Sequence, residues 1–158
     1  MTYDFNANEI LKMAEQIERN GYRFYTAAAE SAGDFQAKEF LLKLADMERQ
    51  HETYFASLRN QLSDQEKAVT IFDPEGEVEL YLRSLADTRV FFEKKIDITS
   101  MEEILKAAIT AEKDSIVFYL GMKKAVPERL GSDKVDEIIE EEMRHITMLS
   151  EQLLVLKR

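Results

Sequence analysis

Apolar positions recur at steps of three and four along almost the whole chain, which is the spacing of one buried helix face. Ile10, Leu11, Ala14, Ile17, Tyr22 and Tyr25 form the first stripe. It predicts a helix that opens at Asn6 or Asn8 as N-cap and closes before Gly33. Asp34 can cap a second helix, whose stripe of Leu41, Leu44, Ala45, Phe55 and Leu58 fades near Leu62. Ser63-Asp64 and Asp73-Pro74-Glu75-Gly76 carry turn chemistry in the polar stretch that follows. A shorter helix is expected over 77–94, with Val78, Leu82, Leu85 and Phe92 as its apolar face. Ser100-Met101-Glu102-Glu103 fits a capping box and opens a third long helix. Pro127 stops that helix, because proline disfavours helical geometry in the residue before it. Gly131-Ser132-Asp133 restarts the chain as a fourth long helix that runs to the C-terminus.

The pattern is all-α. Two helical hairpins, 6–62 and 100–157, flank a connection over 63–99 that is long enough to travel the length of a bundle. One domain over 1–158 is expected from the length.

The two hairpins repeat each other. Glu18 is followed at seven residues by Tyr25, and Glu112 by Tyr119, each tyrosine preceded by phenylalanine. Glu48-x-x-His51 in the second helix corresponds to Glu142-x-x-His145 in the fourth. A single offset of 94 residues relates 18 to 112 and 48 to 142 without a gap. Each half therefore holds one lone Glu and one Glu-x-x-His, as expected of a duplicated structural unit.

Helix geometry lets these residues meet. Gly33 lies midway between Glu18 and Glu48, and Pro127 midway between Glu112 and Glu142. Antiparallel helices of equal rise put positions equidistant from their loop at one height. Residues three apart share a helix face, so each Glu-x-x-His presents both side chains together. Face-to-face hairpins would then gather four carboxylates and two imidazoles in one layer. Unpaired carboxylates in a core are very costly, whereas two divalent cations balance four negative charges. Carboxylate and imidazole donors suit iron, manganese or zinc. An acidic chain can place Glu three residues before one histidine by chance. Both histidines, one offset and loop-symmetric partner glutamates make a solvated acidic face the weaker reading.

Composition narrows the chemistry. The 31 acidic residues outnumber the 21 basic ones, for a formal net charge of -10, so nucleic acid is not expected as a partner. There is no cysteine, which excludes a disulfide scaffold, a thiolate metal site and a cysteine nucleophile within these residues. His51 and His145 are the only imidazoles. No apolar run approaches a membrane span, and Met1 to Phe5 show no secretory pattern, so a cytoplasmic protein without membrane partners is expected.

Tyr25 and Tyr119 are placed to donate a phenol hydrogen bond to a ligand carboxylate and orient it. Tyr22, Tyr54 and the methionines are assigned to packing. Gly21 and Ser115, three residues after the lone glutamates, are small. They either leave an access pocket for a small molecule or permit close helix packing. Glu15 has Ile109 as its repeat mate and is expected at the surface or beside the cluster.

Together, Glu18 to Tyr25, Glu48 to His51, Glu112 to Tyr119 and Glu142 to His145 resemble the rubrerythrin branch of the ferritin-like superfamily. The resemblance implies a ferritin-like antiparallel four-helix bundle with a non-haem di-iron centre. It implies Glu18 and His51 as terminal ligands with Glu48 bridging or near-bridging, and Glu112 and His145 as terminal ligands with Glu142 bridging or near-bridging. Its activities are reduction of peroxide, oxidation by dioxygen, and oxidation of ferrous iron. The expected function is therefore a rubrerythrin-like oxidoreductase in oxidative stress, with iron handling or a non-enzymatic metal-binding bundle as the alternatives. Full-length rubrerythrins deliver electrons through a cysteine-ligated rubredoxin module. Without cysteine, a separate electron-donor protein is implied. Peroxidase members carry a further glutamate where this chain has Ser115, and tend to a carboxylate where it has His145. The symmetric ligand set is closer to ferritin and bacterioferritin centres. Pairing into a homodimer is the assembly that such bundles imply.

Overall fold

A computed structural model describes residues 6–68, 77–88, 99–124, 126–130 and 132–158. All its regular elements among these residues are helical: α1 Ala7–Ser31, α2 Phe35–Asn60, α3 Asp64–Ala68, α4 Glu77–Thr88, α5 Met101–Met122 and α6 Ser132–Leu156, with a 3-10 turn at Glu128–Leu130. No described helix is long and apolar enough to cross a membrane.

The helix starts follow the capping residues. Asn6 accepts from the Glu9 amide at 3.0 Å, Asp34 from Ala37 at 3.0 Å, and Ser100 from Glu103 at 3.3 Å. Each side-chain oxygen satisfies an amide that has no partner inside its helix. α5 ends at Met122, before Pro127 is reached, and the chain tightens into the 3-10 turn.

One element exceeds the sequence expectation. The polar stretch after Leu62 begins with a short helix, α3, closed by a reciprocal box. The Ser63 amide donates to Glu66 Oε1 at 3.0 Å, and the Glu66 amide to Ser63 Oγ at 3.2 Å. Arg129 of the 3-10 turn bonds the same Glu66 carboxylate and reaches the Gln61 carbonyl at 2.6 Å. Its guanidinium, with the Ser63 bonds, holds the Glu66 carboxyl down to about 2. The Asp73 to Gly76 turn, Phe92, Gly131 and the expected continuation of α4 to residue 94 lie outside the described residues.

α1 packs along α2, α5 along α6, and α1 also meets α5. α2 ends beside the beginning of α1, where Arg59 bonds Glu15. Thr99 and Met101, at the start of α5, instead share a cavity with Ser31 to Asp34 at the opposite end. The two ends of the connection between the hairpins therefore lie at opposite ends of the bundle, about 37 Å apart along a helix of 25 residues. This makes α5 antiparallel to α1. The core is the predicted stripes brought together: Ile10, Leu11, Ile17, Leu41, Leu44, Phe55, Leu105 and Phe118 are fully buried. Burying each such side chain contributes about 1.5–3 kcal/mol.

Candidate metal centre

Eight polar or charged residues are buried among the described ones, and six of them are Glu18, Glu48, His51, Glu112, Glu142 and His145. They lie in one layer between the hairpins. Two groups of ligand atoms form there, each within 4.8 Å: Glu18, Glu48, His51 and Glu142, and Glu48, Glu112, Glu142 and His145. Glu48 and Glu142 belong to both.

His51 Nδ1 lies 3.0 Å from Glu142 Oε1 and 3.4 Å from Glu18 Oε2. His145 Nδ1 lies 3.1 Å from Glu142 Oε2, 3.3 Å from Glu48 Oε1 and 3.4 Å from Glu112 Oε1. The imidazole rings stack nearly parallel, their centroids 5.8 Å apart. These contacts bring opposite charges together without the alignment of hydrogen bonds. Glu18 Oε2, Glu48 Oε1, both Glu142 oxygens and both Nδ1 atoms remain buried without a hydrogen-bond partner among the described residues. Orphaned donors converging on shared points are what divalent cations would satisfy, and the oxygen–imidazole set suits iron, manganese or zinc.

The electrostatics agree. Burial, then the charges of Glu112, Glu142 and Glu18, pushes the Glu48 carboxyl well above its usual range. Burial and Glu142 push Glu112 up to about 8, against the lowering effect of His145. Burial lowers His51, but the Glu142 and Glu18 carboxylates outweigh it and push the imidazole up to about 12. His145 moves the same way, with Glu112, Glu142 and Glu48 overcoming its burial. The layer holds protons where cations would otherwise supply positive charge.

The chain matches the Rubrerythrin family model over residues 2–99. It belongs to the rubrerythrin family. The matched span contains Glu18, Glu48 and His51, and the internal repeat extends the pattern to Glu112, Glu142 and His145. A solved structure from Thermotoga maritima, described as a ferritin-like diiron-carboxylate protein, shares 25% identity with the chain. It superposes with a TM-score of 0.71 over 97% of each chain. No curated protein matches significantly. Fold and family thus agree with the helical bundle and the carboxylate–histidine layer.

Both predicted phenols touch the layer, but across the bundle. Tyr25 on α1 donates to Glu112 Oε1 on α5 at 2.5 Å, and Tyr119 on α5 donates to Glu18 on α1. Both hydroxyls are raised well above the ordinary tyrosine value, first by burial and then by the carboxylates, so they stay protonated donors. Tyr22 and Tyr54 pack against the core, and the Arg49 guanidinium lies 5.8 Å from the Tyr22 ring centre.

At Gly21 and Ser115 the packing is close, the second of the two readings. A Cβ at Gly21 would collide with the Glu48 carboxylate, so the room beside Gly21 is already filled by a side chain of the cluster. Ser115 is buried and donates to the Ala111 carbonyl of its own helix at 3.0 Å. A cleft that touches the layer at His51 alone lies elsewhere. It holds about 200 Å³ and is lined by Gln50, His51, Tyr54, Lys134, Glu137 and Glu141, on α2 and α6. Glu15 is neither exposed nor in the ligand layer. It is 6% exposed and bonds Arg59 through both oxygens, at 2.6 and 3.2 Å, joining α1 to α2.

Glu141 is the residue that sequence reasoning missed. Its Oε2 lies 2.6 Å from His51 Nε2, on the side of the ring away from the layer. A carboxylate there fixes the tautomer and leaves Nδ1 for a metal. Its repeat mate is Met47, so the internal comparison points away from it. His145 Nε2 accordingly has no hydrogen-bond partner among the described residues.

Proposed function

We propose that this protein is a di-iron oxidoreductase that reduces peroxide or dioxygen with electrons from a separate donor protein. The observation that carries the reading is the double membership of Glu48 and Glu142, which offers two cation positions sharing two carboxylates. Glu18 and His51 would complete one position, and Glu112 and His145 the other. When bound, two irons supply the electrons for cleaving an O–O bond.

The chain's own residues set the conditions. Glu141 holds the His51 ring, and the crossed phenols of Tyr25 and Tyr119 hold one oxygen each of Glu112 and Glu18. Phe55 and Phe118, fully buried and in ring contact with Tyr119, shield the phenol that reaches the layer. The cleft beside His51 gives a small oxidant a path to its edge.

Anaerobic titration with ferrous iron, followed by peroxide or dioxygen under optical detection, tests the reading. Two irons per chain, oxidised by substoichiometric peroxide and re-reduced by an added donor through repeated cycles, is the expected result. Binding of one iron or none would sink it. Oxidation that deposits ferric iron with continued ferrous consumption would instead make iron the substrate. Zinc retained on purification and inert to peroxide would favour a structural metal.

A further inference from the structure

The two shared carboxylates are not posed alike, although the repeat makes them equivalent in sequence. Glu142 sits squarely between the imidazoles, with Oε1 3.0 Å from His51 Nδ1 and Oε2 3.1 Å from His145 Nδ1. Glu48 turns only Oε1 toward His145, at 3.3 Å. Its Oε2 occupies the space that a side chain at residue 21 would need. A Cβ built on Gly21 would stand 3.2 Å from Glu48 Cδ and 3.3 Å from Cγ, and would approach Oε2 far closer than real Cβ atoms come. Its repeat mate on α5 is Ser115, which has a Cβ and turns its hydroxyl to Ala111.

Gly21 lies deep inside α1, where glycine weakens a helix relative to alanine. Its presence there calls for a local reason, and the Glu48 oxygen in its notch is one. We infer that Gly21 is a positioning residue: its missing side chain lets Glu48 settle toward α1, so that Glu48 offers the layer one oxygen while Glu142, in the half that carries Ser115 at the repeat position, offers two. The inference rests on the layer being a divalent cation site. It goes beyond that reading by making the two shared ligands inequivalent and by assigning the difference to one missing Cβ.

The atom that a Gly21 side chain would displace is the free end of a flexible side chain, not backbone. Gly21→Ala should therefore fold and force Glu48 Oε2 into the layer. Cobalt(II) is the probe, because its visible absorption reports the number and type of its ligands. Wild-type protein taking up two Co(II) per chain secures the cation site itself, independently of residue 21. Gly21→Ala should then alter the Co(II) spectrum and shift the ratio of the two stepwise affinities about tenfold, the scale on which groups supporting a ligand act. Ser115→Ala, which keeps its Cβ, should leave both unchanged. A Gly21→Ala protein with wild-type spectrum and affinities overturns the inference, as does an equal change in Ser115→Ala. Should Gly21→Ala not fold, Gly21→Ala combined with Glu48→Asp decides: the shorter side chain relieves the collision, so restored folding supports the inference and a protein that still does not fold overturns it.

Discussion

Tyr25 of α1 donates its phenol hydrogen to Glu112 of α5 at 2.5 Å, and not to Glu18, the glutamate two turns away on its own helix. Tyr119 returns the bond to Glu18. This exchange ties the two hairpins at the level of the buried carboxylate–histidine layer and fixes one oxygen each of Glu112 and Glu18. Tyr25→Phe and Tyr119→Phe should each keep the fold and weaken cation binding, by about 10- to 100-fold for loss of a ligand's supporting bond. Competition with a coloured chelator measures it, and unchanged affinity in both variants would assign the phenols to packing alone.

Burial raises the Glu142 carboxyl, but its contacts with Glu112, His145 and His51 outweigh that and hold it below its usual range. Burial and neighbouring carboxylates hold Glu48 well above its usual range. Glu48→Gln should therefore raise the melting temperature of the apoprotein, while Glu48→Gln combined with Glu142→Gln should reduce uptake to one cation or none. Calorimetry and metal analysis read the two effects separately. Two tightly bound cations in the double variant would show that the ligands are misassigned.

The pH dependence has a defined sign. Glu112 is raised to about 8, so between its ordinary value near 4.5 and pH 8 the folded apoprotein keeps a proton that the unfolded chain releases. Its stabilising contribution is full below pH 4.5 and is lost as pH rises through 8. His51, raised to about 12, acts in the same direction from its unfolded value near 6.5 upward. Metal binding removes these protons, so the stabilisation by added cation should grow over the same range. Denaturant melts at pH 5 to 8, with and without Mn(II), test this. Glu112→Gln should flatten the apoprotein slope, and an unaltered slope would remove Glu112 from the account.

Glu141 supports His51, whereas the mate position beside His145 is Met47. Glu141→Gln should therefore weaken one cation position and spare the other, splitting a stepwise titration by about 10- to 100-fold. Equal weakening of both steps would show that Glu141 acts on the layer as a whole.

The Glu15–Arg59 pair makes a stability prediction away from the layer. Arg59→Met keeps the aliphatic stem but leaves a buried carboxylate without its bidentate partner. The cost should be about 2 kcal/mol, the scale of a hydrogen bond to a charged group. Adding Glu15→Gln should recover part of it, and equilibrium unfolding decides.

What the sequence by itself determined lies within single hairpins. Helix starts at Asn6, Asp34 and Ser100, the buried stripes, and the levelling of Glu18 with Glu48-x-x-His51 follow from periodicity, capping and distance from a loop, all local quantities. α3 was legible too, since Ser63 and Glu66 have the spacing that served at Ser100. The tertiary structure alone decided how one hairpin faces the other. The phenol bonds span 87 and 101 residues and the His51–Glu141 contact spans 90. Such pairings depend on the rotation and stagger of packed helices, which no spacing along one helix records. The repeat even misleads there: it makes Glu48 and Glu142 look alike, while a single absent Cβ at Gly21 lets their carboxylates settle differently.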